Sequence, residues 1–272
     1  MHKSETIQII SEAVKDVAGV KALFLSGSYG NGCADTFSDF DFLIVTDGGA
    51  TEEIAEAWRK AVSRISEIVL WRDRLAAPVL INAITQDWTR IDLLILKADQ
   101  LSAYSKDNLQ VLFDHEGVYD QLPDTAPLND PDPKKFRYQI EEFIRILGLL
   151  HVVEGREDYI NGVLGVFHLR NLLVELLIEE TNAPNRGGAL HLNRLITDKQ
   201  KELLKSLPAP IAERDAIIKA HLAYAKAYLP IARKRAKALE IEWPERFEEA
   251  TWTKLRESVS INCPYSTNQA AP

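Results

Sequence analysis

The sequence predicts an α+β protein with an N-terminal mixed-sheet domain and a C-terminal all-helical bundle domain. Up to about residue 120, short apolar runs typical of buried strands alternate with segments of helical spacing. A proline-rich segment, LPDTAPLNDPDP at 122–133, then interrupts both patterns, because proline cannot donate to a ladder and restricts the residue before it. Beyond it nearly every segment has helical spacing. The predicted domains are therefore 1–125 and 131–262.

The elements of the first domain follow from periodicity and from turn residues. Residues 4–18 carry apolar side chains at helical spacing, and KALFLSG after them is a short buried strand. FDFLIVT is a second strand, and Thr51 with two glutamates behind it starts a helix in the way the helix dipole favours. The remaining elements predicted here are a helix at 51–67, strands at 78–85 and 90–96, a short helix at 98–106 and a last strand at 109–114.

The second domain shows helical patterns and few strand signals. Its length of well over a hundred residues suffices for a bundle with its own apolar core. The predicted helices cover 134–153, 158–181, 197–206, 209–227 and 229–240.

Composition narrows the class of protein. The chain has 272 residues, of which 46% are hydrophobic and 26% charged, an ordinary balance for a globular protein. The two cysteines, Cys33 and Cys263, have neither zinc-ligand spacing nor the pattern of a disulfide framework. The first residues lack the pattern of a signal peptide, and no apolar run approaches the roughly 18 residues of a membrane span. We therefore expect a cytoplasmic location and no membrane partner.

Charge is unevenly distributed along the chain. The net charge is −8, with −10 in residues 1–130 and +2 in the remainder. An acidic first half is unsuited to gripping a nucleic-acid backbone, and a nucleic-acid partner is disfavoured. Metal ions or a cationic small molecule suit it better.

The stretch SGSYGNGCADTFSDFD at 26–41 carries the first candidate site. Side chains alternate along a strand, so Asp39 and Asp41 share one face while Phe40 and Phe42 share the other. Two like charges at this spacing repel each other, and a cation would offset that cost. Magnesium is a suitable cation because it takes carboxylate oxygens and keeps positions open for phosphate and water. Upstream, the Gly27-Ser28 turn allows close backbone approach and could hold phosphate oxygens.

A third acid lies in another strand. Asp92 is surrounded by apolar residues in RIDLLIL, where a carboxylate is costly to bury unless it is paired or bound to metal. Its structural alternative is a salt bridge to Arg90 or Arg72. If the strands are adjacent, Asp39, Asp41 and Asp92 together would hold two magnesium ions.

These motifs resemble those of the nucleotidyltransferase superfamily that includes DNA polymerase beta. Its signature is Gly-Ser followed by Asp-x-Asp and then a distant third acid, and the whole-chain layout resembles the aminoglycoside and lincosamide nucleotidyltransferases. The resemblance implies that Gly27 and Ser28 hold the nucleotide phosphates. It also implies that Asp39 and Asp41 bind Mg²⁺ and that Asp92 is the third metal-binding acid, with ATP as co-substrate. Some antibiotic-modifying relatives have glutamate as the third acid, so the general base is left open between Asp92 and a glutamate of the helical half.

In the helical half, Glu175 is the candidate base. His168, Asn171 and Glu175 fall on one helix face and could line a cleft, and a solvated stripe on an amphipathic helix is the alternative. Large aromatics also stand out: Trp71, Trp88 and Tyr159 could stack on a base or a sugar ring, although such residues are more often packing residues.

The function predicted from all this is magnesium-dependent transfer of AMP from ATP to a hydroxyl of a small molecule. The acceptor we expect is an aminoglycoside antibiotic, which would give resistance. A lincosamide, a protein or an RNA end are the alternative acceptors, and a degenerate member that only binds nucleotide is a non-enzymatic one. The spacing from Arg186 to His191 resembles a ribonuclease motif of small helical toxin domains, with a helix–helix connection as its alternative. A homodimer also stays open.

Overall fold

The fold has the predicted α+β class, with a mixed six-stranded sheet followed by a largely helical part. The computed structural model describes residues 3–48, 51–75, 78–125, 131–181 and 192–265. Contacts divide the chain into two units, Met1–Pro127 and Leu128–Pro272. We call them the sheet unit and the helical unit.

The sheet unit is organised around one central parallel pair of strands. The strand order is β3-β4-β5-β2-β1-β6, and β2 and β5 run parallel while the other described pairs are antiparallel. The strands are β1 (Val20–Leu25), β2 (Phe40–Thr46), β3 (Ile68–Arg74), β4 (Val79–Thr85), β5 (Arg90–Lys97) and β6 (Gln110–Asp114). The helices of this unit are α1 (Lys3–Val14), α2 (Gly27–Gly30) and α3 (Thr51–Ile65).

Each face of the sheet has its own apolar cluster. On one face, residues of α1 and α3 pack on the strands, and Trp58 of α3 is fully buried against them. On the other face, Leu101, Leu109 and Val118 cover Phe24 and Leu43. The first face is therefore closed by helices and the second by the irregular segment between β5 and the end of the unit. The acidic residues of the candidate site point toward this second face.

In the sheet unit one predicted element is wrong and one strand was missed. The segment 98–106 is not a helix, because only two short 3₁₀ turns form, at Ala98–Gln100 and Lys106–Asn108. Strand β3 was not predicted, since its charged end and half-exposed residues lack the apolar alternation of a buried strand. It is an edge strand that pairs with β4 alone.

The helical unit buries one continuous apolar core between its longer helices. Phe143 of the first helix stacks face to face on Tyr228, with ring centroids 3.9 Å apart. The helices are α4 (Pro133–Gly148), α5 (Leu150–Arg156), α6 (Tyr159–Thr181), α7 (Leu192–Leu195), α8 (Asp198–Ser206), α9 (Arg214–Ala238) and α10 (Glu245–Val259).

Helix α9 corrects the prediction of two separate helices at 209–227 and 229–240. Pro230 lies inside one continuous helix, although proline usually breaks or kinks a helix interior. Leu229 and Ala232, on either side of it, are buried in the core, so packing overrides the local preference. Helix α10 was not predicted at all, and the single helix expected at 134–153 is divided at Leu149 into α4 and α5.

Helix α6 has the length and composition of a membrane span, contrary to the expectation that no segment approaches one. Its best window has a mean hydropathy of 1.3, and 39% of that window is buried. Leu169, Leu173 and Leu176 belong to the core of the helical unit. Burial in that core accounts for the apolar composition of the helix.

Candidate functional site

The site begins where β1 ends and the chain turns into α2. β1 and β2 pair antiparallel with Leu25 opposite Phe42, and the Ser26 amide donates to the Asp41 carbonyl oxygen over 2.8 Å. This pairing brings the glycine turn against the start of β2. The sequence neighbours Gly27 and Ser28 therefore lie beside an acid that is more than ten residues away in the chain.

Gly27 has no space for a side chain. Its φ of +57° lies in the left-handed region, and a Cβ at this position would be 2.0 Å from Asp41 Oδ2. Only glycine combines that backbone conformation with so close an approach. The Asp41 carboxylate is consequently held directly against the backbone of the turn.

Ser28 is the first buried residue of α2. It is 3% exposed, and its hydroxyl oxygen has no hydrogen-bond partner among the residues that the structure describes. A buried hydroxyl without a partner costs free energy, so an additional polar group is expected here. The first N–H groups of a helix also lack intrahelical acceptors. The turn therefore has donors to offer a phosphate oxygen, as the Gly27-Ser28 prediction requires.

The start of β2 is anchored by aromatic packing on one side only. Phe40 stacks on Tyr29 with ring centroids 5.3 Å apart, and Phe42 meets Trp58 edge to face at 4.9 Å. Because side chains alternate along the strand, burying these two phenylalanines turns the intervening Asp41 to the opposite face.

Three carboxylates meet on that opposite face. In the parallel pairing, Asp41 of β2 is directly in register with Asp92 of β5, and Asp39 immediately precedes β2. Carboxylate oxygens of Asp39, Asp41 and Asp92 all lie within 4.8 Å of one another. All three side chains are partly exposed. The arrangement expected from sequence alternation and strand adjacency is present.

Two neighbours define the electrostatics of the acids. Arg90 forms an ion pair with Asp39, and its guanidinium lies 4.0 Å from Asp92. Burial raises the pKa of the Asp92 carboxyl and the nearby Asp39 charge adds to this, while a side-chain hydrogen bond from Asn82 and the charge of Arg90 oppose it. The salt bridge considered for Asp92 is thus a longer contact, and the closer partner of Arg90 is Asp39.

Asn82 was not recognised in the sequence. It lies on β4 directly opposite Asp92. Its signal is an amide side chain in the middle of the otherwise apolar run VLINAI, one strand further along the sheet. Such a residue needs a hydrogen-bond partner when half-buried, and Asp92 supplies it.

The donor set fits a hard divalent cation. Mg²⁺ prefers oxygen ligands, usually one or two carboxylates together with substrate phosphates and water. The three carboxylates are close enough to share ions, and the Gly27 turn lies at their side. Asp39, Asp41 and Asp92 are the residues that would hold the metal.

Glu175 lies in the helical unit, on α6. Its side chain is exposed and accepts a hydrogen bond of 2.6 Å from Gln139 of α4, while His168 on the same helix lies 3.5 Å from Glu142. Two members of the predicted face thus contact α4. The role of Glu175 as a base stays a prediction. The Arg186 to His191 spacing lies outside the described residues.

One family model matches part of the chain. Residues 7–86 match the nucleotidyltransferase domain family, from within α1 to the end of β4. The match includes Gly27, Ser28, Asp39 and Asp41 and ends before Asp92, so the third acid rests on the geometry above. Among curated proteins, none matches the chain.

Several solved structures resemble the chain distantly. An aminoglycoside 6-adenyltransferase from Bacillus subtilis is 12% identical with a TM-score of 0.42, covering 93% of this chain and 98% of that one. A spectinomycin adenyltransferase from Enterococcus faecialis, solved with ATP and spectinomycin, is 13% identical with a TM-score of 0.35, covering 83% and 99%. A CCA-adding enzyme is 12% identical with a TM-score of 0.34, covering 95% and 66%.

Proposed function

We propose, on the premise that residues 7–86 form a nucleotidyltransferase domain, that this enzyme transfers AMP from ATP to a hydroxyl group of a small molecule. The observation that carries the proposal is the cluster of Asp39, Asp41 and Asp92 beside the Gly27 turn. Phosphoryl transfer needs positive charge at the phosphates more than it needs covalent chemistry from the protein. A cluster of acids can hold Mg²⁺, which would supply that charge, next to the first N–H groups of α2.

The proposed reaction replaces one phosphorus–oxygen bond of ATP with another. The acceptor oxygen forms a bond to the α-phosphorus of ATP, the bond from that phosphorus to the bridging oxygen breaks, and pyrophosphate leaves. The hydroxyl proton passes to a carboxylate acting as general base. When bound, magnesium supplies the positive charge that polarises the α-phosphate and stabilises pyrophosphate. Gly27 and Ser28 orient the phosphates through their N–H groups, and Asp39 and Asp41 fix the site on β2.

The acceptor we propose is an aminoglycoside, with a lincosamide as the second candidate. Aminoglycosides carry several ammonium groups, and the first 130 residues have a net charge of −10. Such a charge attracts cationic ligands and raises their local concentration. Modification of the antibiotic in the cytoplasm would then give resistance.

A direct test is to incubate the purified protein with ATP, Mg²⁺ and a panel of aminoglycosides and lincosamides while following pyrophosphate release. We expect release with at least one antibiotic and none after chelation of the metal. The variant Asp39→Ala, Asp41→Ala should lose at least about a thousandfold in rate, a size typical of removing transition-state charge stabilisation. The control Asp99→Ala, Asp120→Ala makes the same charge change at exposed positions away from the acid cluster and should keep full activity.

Two outcomes would contradict the proposal. Absence of turnover with every antibiotic would show that the acceptor is neither an aminoglycoside nor a lincosamide. Full activity of the double variant at Asp39 and Asp41 would show that these acids are not needed for the reaction.

A second comparison identifies the general base. Asp92→Asn should weaken both Mn²⁺ binding and turnover, whereas Glu175→Gln should lower turnover with unchanged Mn²⁺ binding if Glu175 is the base.

A further inference from the structure

A pocket of about 390 Å³ lies beside the acid cluster in the sheet unit. It is bounded by the start of α1, the segment 36–40 and the turn between β4 and β5. We call it the hairpin pocket. Asp39 belongs both to its wall and to the acid cluster, and Arg90, also in the wall, pairs with Asp39. A molecule bound in the hairpin pocket would therefore have its substituents next to the cluster.

Two aromatic side chains that line this pocket are exposed to solvent. Phe37 is 94% exposed and Trp88 is 75% exposed. Neither ring contributes appreciably to the apolar core, although large aromatics usually supply much of the buried area of a fold. Their position at one pocket gives it two flat apolar surfaces.

Trp88 also has an unfavourable backbone conformation. Its φ of +62° is in the left-handed region, where a bulky residue is an outlier and glycine or asparagine is ordinary. Its amide donates to the Thr85 carbonyl oxygen in the hairpin turn over 2.8 Å. A tryptophan that is both exposed and strained weakens the fold slightly, and such residues cluster at ligand sites.

The polar side chains that line the pocket include the carboxylate of Asp87, which hydrogen bonds hold in place. The Asp87 carboxylate accepts hydrogen bonds from the hydroxyls of Thr85 over 2.6 Å and Thr89 over 3.2 Å, and these bonds lower its pKa. It is therefore ionised in a pocket that Trp88 also lines. The basic side chains at the pocket are already engaged: Arg90 pairs with Asp39, and Lys3 donates to the Asp35 carbonyl oxygen.

A pocket lined by an exposed indole and a carboxylate has the groups that bind an ammonium ion. The face of tryptophan attracts an ammonium group, and the carboxylate adds a charge-assisted hydrogen bond. The apolar C–H face of a sugar ring can pack on the same surface. A phosphorylated ring is disfavoured because Asp87 would repel it.

We propose that the hairpin pocket is the acceptor subsite, and that it takes an amino sugar or similar ammonium-bearing polyol ring against Trp88 and Phe37. This inference rests on the proposed function, because it names where that reaction binds its acceptor. Asp87 selects for the ammonium group, and the shared Asp39 borders both the ring and the reacting centre.

The test compares Trp88→Leu with Trp71→Leu. Trp71 is a tryptophan of the same unit that lies on β3 outside the pocket and donates to Asp73. Kanamycin and spectinomycin are used as probes. For whichever is turned over, Trp88→Leu should raise the acceptor KM by about 5- to 30-fold, as expected for losing one cation–π and packing contact, with the KM for ATP unchanged. Trp71→Leu should leave both values unchanged.

Calorimetry with kanamycin and spectinomycin in the absence of ATP separates this inference from the proposed function. If the protein binds an antibiotic without turning it over, and binding is lost in Trp88→Leu but kept in Trp71→Leu, the pocket is a binding site for amino sugars. The proposed reaction with antibiotics is then wrong. If an antibiotic is turned over and Trp88→Leu leaves the acceptor KM unchanged, the hairpin pocket is not the acceptor subsite, although the proposed reaction is supported. A rise in the KM for ATP instead would assign the pocket to the nucleotide, and absence of both binding and turnover overturns both.

Discussion

At the residue scale, the position of Gly27 decides where the Asp41 carboxylate lies. The turn before α2 and the start of β2 approach each other so closely that only a hydrogen fits between them. The aromatic contacts of Phe40 and Phe42 fix the other side of the strand. The Asp41 carboxylate is thereby held between the backbone of the turn and a layer of aromatic side chains, so packing fixes its position.

The variant Gly27→Ala tests this directly. Its Cβ would fall 2.0 Å from Asp41 Oδ2, so the carboxylate has to move, and we expect activity to fall at least about a hundredfold. Gly117→Ala is the matched control, because Gly117 has a similar φ of +68° but nothing within 4 Å of the added Cβ. Both variants should lose about 1 kcal/mol of unfolding free energy from backbone strain. A Gly27→Ala enzyme as active as Gly117→Ala would contradict this role.

At the element scale, the parallel pair β2 and β5 brings two acids of the candidate site together. The sequence predicted β2 with its observed bounds because Phe40 and Phe42 alternate with acids, and the register then brings Asp41 opposite Asp92. Which strands are neighbours is a tertiary property, so adjacency could only be assumed. Elements shaped by packing were missed: β3 is a half-exposed edge strand, and α9 continues through Pro230 because its flanks are buried.

The packing of α9 against α6 predicts a pH effect on stability. His221 of α9 is buried, its Nδ1 lies 2.9 Å from the Ile217 carbonyl oxygen, and burial lowers its pKa to about 4. The folded state thus disfavours the protonated ring. This contribution to stability is fully present above the unfolded pKa of about 6.5 and is lost as the pH falls toward 4.

Urea unfolding followed by circular dichroism at pH 7.5 and pH 5 measures this contribution. The wild-type protein should lose about 2 kcal/mol between these values through His221, and His221→Gln should lack that part of the change whatever its stability at pH 7.5. Ile144→Val, which shortens a fully buried apolar side chain of the same unit, should keep the wild-type pH dependence. An equal pH dependence in all three proteins would show that His221 is not the group responsible.

At the scale of the whole molecule, the acid cluster could be predicted from the sequence and the hairpin pocket could not. All three acids carry their own signals in strand patterns, and the resemblance to nucleotidyltransferases implied the roles predicted for them. The pocket combines side chains from the start of α1, the loop before β2 and the turn before β5, and the conformation of Trp88 became visible only in the fold. Substrate selection depends on such combinations, which is why the reaction class could be predicted more readily than the acceptor.

Charge across the molecule predicts that RNA is not the acceptor. The densest basic run in the sequence is Arg233-Lys234-Arg235, and its two arginines are already paired in the helical unit. Arg233 forms ion pairs with Glu245 and with Glu248, the latter at 2.5 Å, and Arg235 lies 3.7 Å from Glu179. Phosphate binding would have to break these pairs, and the first 130 residues carry a net charge of −10 that repels a polyanion.

Incubation with ATP labelled at the α-phosphate, Mg²⁺ and either transfer RNA or poly(A) tests this expectation. We expect no more label in RNA than with the Asp39→Ala, Asp41→Ala variant, and no retention of RNA on filters at about 0.15 M salt, where a few phosphate contacts already give measurable binding. In a parallel reaction the antibiotic should take up the label. Labelled RNA whose yield falls steeply as salt rises would mean that a phosphate-binding surface exists, and would make a nucleic-acid end the acceptor.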